Sequence, residues 1–128
     1  MSRTRPILRA ELLQWVGLGA GALTWAGQLL VGFGTTVANC SAAGAGWAIG
    51  LHTWEVVLTA IGAVFVLGAE SAAVSVFLAT RELEYDGPPP DGRRHFFASA
   101  AMVGNLLFLV AILLSGVAAI SHEACRQA

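Results

Sequence analysis

Cys40, His52, His122, Glu123 and Cys125, together with Glu70 set well inside an apolar run, are the side chains of this sequence whose types and spacing could do chemistry. Two thiolates with imidazoles suit copper(I) or zinc. Two cysteines facing an oxidising compartment suit a disulfide. A carboxyl shielded from water can load and release a proton. His122 and Cys125 stand three apart and could share a helix face, but the set follows no recognised ligand pattern. The expectation is therefore that no metal is held, with Cys40, His52, His122 and Cys125 as the alternative ligand set. No CxxC supports a thiol redox enzyme, and no Gly-rich loop follows a strand to cradle phosphate. No nucleophile, base and orienter appear together. His52, His95 and His122 fall at the ends of apolar runs, which disfavours haem. The chain thus reads as a non-enzyme with no cofactor and no catalytic residue.

The elements that must position these groups are three apolar runs, at about residues 12–34, 54–80 and 96–121. The chain has 128 residues, 56% hydrophobic and 12% charged, and its mean hydropathy is +0.70. A soluble domain of that size would lack polar surface. Period-2 alternation is missing, which excludes a β-barrel, and no basic stripe suggests nucleic acid. The expected fold is all-α, one domain over residues 1–128, an integral membrane bundle of three transmembrane helices. At about 1.5 Å per residue the central run covers roughly 40 Å, more than the ~30 Å hydrocarbon layer. An acid near the middle of a span costs about 2.5 to 3.5 kcal/mol on insertion scales, so Glu70 is expected to be protonated, paired or turned from lipid.

Orientation follows from arginine, because the chain has no lysine. Arg3, Arg5 and Arg9 precede the first run and Arg81, Arg93 and Arg94 lie between the second and third, whereas Arg126 stands alone beyond the last. The positive-inside rule then places the N-terminus and the 81–95 loop in the cytoplasm, and the 38–53 loop and C-terminus outside. Trp15 near one boundary, with Trp47 and Trp54 near the other, fits an aromatic belt. The arginine-led start resembles a secretory signal, but the first run is too long for a signal core and no good small-x-small site follows it. Pro88, Pro89 and Pro90 make the 81–94 segment a short, stiff connector. Cys40 and Cys125 fall on the same outer side, which favours a disulfide. Closing a loop of about 85 residues would contribute roughly 4 to 5 kcal/mol in the chain-entropy model.

Depth links the polar groups inside the spans. Counted from the outer ends, Glu70 lies about 22 Å down and Asn105 about 24 Å down, so Asn105 is expected to donate a hydrogen bond to Glu70. Gly17 and Gly21 form a GxxxG step at a similar depth, expected to receive the Ala69, Ala72 and Ala73 region of the second span. Gln28 and Trp25 read as interhelical hydrogen bonding and packing.

Trp25-Ala26-Gly27-Gln28, Cys40, Leu51-His52 and His122-Glu123-Ala124-Cys125 together resemble a family of small bacterial three-helix membrane proteins encoded near haem-copper cytochrome c oxidase and oxidase-assembly genes. The resemblance covers nearly the whole chain through short motifs, and the paired outer cysteines are the feature that carries over, to Cys40 and Cys125. The family's proline before the last cysteine is replaced by Ala124. The resemblance implies a non-catalytic accessory subunit of a respiratory complex in the bacterial inner membrane, packed on larger integral membrane subunits and lipid. Two alternatives remain at this point: a copper-handling oxidase assembly factor using the outer Cys and His residues, and a small proton- or solute-conducting oligomer using Glu70.

Overall fold

The computed structural model describes residues 4–41, 50–82, 91–123 and 125. The chain is all-helical there: α1 runs Thr4–Cys40, α2 Leu51–Thr80 and α3 Asp91–Ser121. Each helix exceeds its apolar run. Thr35 and Thr36, expected beyond the first run, stay helical because their hydroxyls donate to the Val31 and Gly32 carbonyls at 2.6 and 2.9 Å. α1 closes where Ser41 Oγ donates to the Ala38 carbonyl at 2.7 Å. Gly50 is extended (φ −67°, ψ 102°) and accepts the first bond of α2 from the Trp54 amide at 2.9 Å. Residues 91–94, expected in the connector, open α3 instead. The expectations for Trp47 and for the Pro88–Pro90 segment fall outside the described residues.

All three helices are long and apolar enough to cross a membrane, and a helix is suited to that setting because it satisfies its own backbone polar groups. On α2 the buried positions Gly62, Val66, Ala69, Ala73, Val76 and Thr80 alternate steps of four and three, the seam spacing that keeps one face turned to its neighbours. The buried positions of α1 are Gly17, Gly21, Gln28 and Gly32. Close approach needs those glycines. A Cβ on Gly17 would stand 3.1 Å from the Ala73 backbone nitrogen, and one on Gly21 would stand 2.5 Å from Asn105 Oδ1. Ile112 of α3 fills the space over Gly62. Large apolar side chains such as Leu23, Phe33, Val64, Phe65 and Leu114 point outward, the reverse of a soluble protein's distribution.

The GxxxG step divides its two glycines between two neighbours, Gly17 against Ala73 of α2 and Gly21 against Asn105 and Phe108 of α3. The expected Asn105 to Glu70 bond is not formed. Asn105 Nδ2 donates instead to the Gly17 carbonyl, at 2.9 Å. Depth was read correctly in the sense that α2 and α3 pair in antiparallel order, Thr80 with His95, Gly62 with Ile112 and Thr59 with Gly116, which sets Glu70 level with Gly104 and Asn105. Direction around the helix decided the partner. A GxxxG groove on α1 brings a bare carbonyl within reach of the amide, and a glycine carbonyl held at that distance is the nearer acceptor.

Candidate functional site

The chemistry-bearing residues gather at the end of the bundle where α1 stops, α2 starts and α3 stops. Cys40, the last residue of α1, and Cys125, beyond α3, have sulfurs 2.08 Å apart and Cα atoms 5.4 Å apart, a disulfide. It ties the ends of α1 and α3 together across the start of α2. With both sulfurs so bonded, neither is available as a thiolate. Among the described residues no group of three or more His, Cys, Asp or Glu side chains is placed to hold a metal ion. His52 Nε2 stands 3.3 Å from the His122 carbonyl. A carbonyl only accepts, so this contact is a bond in which Nε2 carries the proton.

Below that lies a cleft of about 340 Å³. Its floor is Leu51, His52 and Glu55 of α2, one wall is Leu29, Phe33 and Val37 of α1, and the other is Ser115, Ala118 and Ala119 of α3. Gln28 lines it. Gln28 is 8% exposed, and its Nε2 donates to Thr59 Oγ1 at 3.2 Å. The Thr59 hydroxyl donates in turn to the Glu55 carbonyl at 2.8 Å. A hydroxyl has one proton, so Thr59 can only accept from Gln28, and this fixes which end of the amide is nitrogen. The other end, Oε1, is buried, and the described residues give it no donor. It lies beside Gly62, where a Cβ would meet it in ordinary contact at 3.6 Å. One turn along α1, the Glu55 carboxyl lies against Gly32, where a Cβ would be 3.1 and 3.2 Å from its two oxygens, with the Thr36 side chain beside it.

Set against protein-family models, curated proteins and solved structures, the chain matches none of them.

Two deep polar groups lie away from the cleft. Glu70 is half-buried at the margin of the α2 seam, and its Oε2 is buried without a hydrogen-bond partner among the described residues. Nearer the arginine-bearing end, His95 is buried with Nδ1 2.9 Å from Thr80 Oγ1 and its ring stacked on Phe77 at 4.7 Å between centroids. The Thr80 hydroxyl donates to the Val76 carbonyl at 2.8 Å, so the His95 nitrogen is the donor in that pair. Trp25 packs on Phe108 of α3 at 5.9 Å between centroids.

Sequence reasoning brought together Cys40, His52, His122 and Cys125, and all four do meet at one end. It missed Glu55, Thr59 and Gly32. The signal was present: Glu55 opens an apolar run three residues after His52, a spacing that puts both on one helix face. It also left His95 at a helix end, where the structure buries it inside α3. A histidine four residues into a helix, with Ala98 and Ala101 following at steps of three, was the sign that it belongs to the inner face.

Proposed function

We propose that this chain is a multi-pass protein of a bacterial inner membrane, N-terminus in the cytoplasm and C-terminus outside, that serves as a non-catalytic accessory subunit of a larger membrane complex. The observation that carries the reading is the outward face of α2. Gly68, Ser71 and Ser75 share that face and are exposed, between the exposed Val64 and Leu78. Gly68 is open, with nothing within 4 Å of where a Cβ would sit. The Ser71 and Ser75 hydroxyls return to the Leu67 and Ser71 carbonyls at 2.8 and 2.7 Å, so the stretch from Gly68 to Ser75 on this face is small and polar-satisfied. Helices in lipid associate through such stripes, where backbones approach closely. Glu70, half-buried, stands between that face and the α2 seam, with one carboxyl oxygen enclosed and given no donor by the described residues. The sequence resemblance directs the choice of partner to a haem-copper cytochrome c oxidase or its supercomplex.

The conducting alternative finds less support in the same residues. Both serines beside Glu70 commit their protons to their own helix, which leaves no relay leading from it. The assembly-factor alternative needs reduced cysteines, and the pair is joined. A photo-crosslinking side chain placed at Ser71 tests the subunit reading in native membranes. The expected product is one adduct with a larger membrane subunit, lost when Gly68 is replaced by Leu. Adducts with lipid alone, or with a second copy of the chain, contradict it.

A further inference from the structure

We propose that a pocket between α1 and α3, at the arginine-bearing end of the bundle, binds the phosphate of an anionic phospholipid. The two helices run side by side in the same direction, joined by the bond from Asn105 to the Gly17 carbonyl. Near their starts they part around a space of about 280 Å³. Glu11, Gln14 and Trp15 line it from α1, and Arg93, Arg94 and Phe97 from α3. Spacings of three and four put each trio on one helix face. Four of these side chains carry N–H donors, in two guanidinium groups, an amide and an indole, and the free oxygens of a phosphodiester only accept. Arg93 is exposed and forms no ion pair among the described residues. Arg94 already has a contact of its own, so Arg93 is the group assigned to the phosphate, through charge-assisted bonds of the bidentate kind a guanidinium makes.

Depth and the surface below the pocket select a lipid over a soluble anion. Trp15 is 60% exposed and stands about one turn inside the apolar span that begins at Glu11, where an indole sits at headgroup level. Further in, the same flanks carry small residues. Ala22 comes seven residues after Trp15, and Ala100 and Gly104 come three and seven after Phe97, steps that keep to one side of a helix. Ala100 is exposed, and Gly104 has nothing within 4 Å of where a Cβ would sit. A shallow furrow therefore leaves the pocket along the apolar exterior, and an acyl chain lies in it. Glu11 is an acid in the lining, so it weakens the hold on an anion and gives the charge argument a second sign. The inference rests on the reading that these helices cross a bilayer, and not on the partner proposed for α2.

The test uses the full chain in maltoside micelles. Phosphatidylglycerol and phosphatidylcholine with identical acyl chains are added in equal amounts, and native mass spectrometry reads which is retained. The expected result is a preference of about fivefold for phosphatidylglycerol, about 1 kcal/mol, the contribution of one arginine near a membrane surface. Arg93→Gln abolishes that preference. Arg81→Gln, which removes an exposed arginine at the same end of the bundle but outside the pocket, keeps it. Glu11→Gln raises it, a gain that damage to the fold does not produce. Should Arg93→Gln lose its helicity, the Glu11→Gln result decides. Equal retention of the two lipids by the folded chain, a folded Arg93→Gln that still prefers phosphatidylglycerol, or a Glu11→Gln without the gain overturns the proposal. Displacement of the lipid by an equal concentration of inorganic phosphate also overturns it, because the pocket would then serve a soluble anion. A chain that stays dispersed without detergent would overturn the membrane reading together with this one, whereas an inserted chain with no lipid preference overturns the lipid site alone.

Discussion

Asn105 is the most buried polar side chain of the bundle, at 2% exposure, and it works through two glycines. Its nitrogen bonds the Gly17 carbonyl and its oxygen occupies the space a Cβ on Gly21 would need. Interhelical hydrogen bonds of this kind contribute on average about 0.6 kcal/mol and at most about 1.7 kcal/mol in a membrane protein. Gly21→Ala should therefore destabilise the bundle by about 1 to 2 kcal/mol, because the new methyl displaces the amide and loosens its bond as well. Gly19 has nothing within 4 Å of its Cβ position, so Gly19→Ala should be neutral or slightly stabilising. Unfolding by a denaturing detergent, followed by helicity, compares the two; equal losses would contradict the assigned packing. The close approach at Gly17 and Gly21 was legible in the sequence, since GxxxG states it directly. The partner of Asn105 was not, because counting residues gives depth along a helix but not which neighbour a side chain turns toward.

At the scale of elements, the disulfide joins the ends of α1 and α3, and α2 is clasped between them. Removing a cross-link that closes 85 residues should cost about 2 to 5 kcal/mol. Cys125→Ser is expected to lower stability by that amount while helicity is retained, and maleimide should label the oxidised wild-type protein only after reduction. Labelling before reduction would show that the cysteines are unpaired. A second element-level prediction concerns Gly116, which faces the Thr59 side chain where α3 crosses α2. Gly116→Val would drive Thr59 aside and break the chain of bonds from Gln28 through Thr59 to the Glu55 carbonyl. The expected cost is about 1 to 3 kcal/mol, as for overpacking elsewhere. The three helices were legible from their apolar runs. Their ends were not: residues 35–40 and 91–94 carry threonines, charges and glycine that read as connector, and they remain helical because a helix end can satisfy a hydroxyl or an acid locally.

Among the described residues of the whole molecule, most large apolar side chains face outward, and the interior holds glycine, alanine, Leu51, Val66, Val76 and Ile112 with the polar Gln28, Thr80, His95 and Asn105. Such a bundle has little apolar area to bury on its own and gains its definition from close backbone contact and hydrogen bonds. The Gly68, Ser71 and Ser75 stretch of α2 is the part of the exterior proposed to receive another helix. Glu70→Gln should leave helicity and the disulfide unchanged and weaken association with a partner, read as a several-fold loss of co-purification; unchanged association would remove Glu70 from the interface. That the helices are long and apolar enough to cross a membrane was plain in composition, whereas the cleft was hidden because its floor and walls come from three separate runs. The most direct measurement is purification of the chain from native membranes in a gentle detergent, with an optical spectrum of what accompanies it. The account predicts a stoichiometric, haem-containing membrane complex; recovery of the chain alone, or as a homo-oligomer without haem, would contradict it.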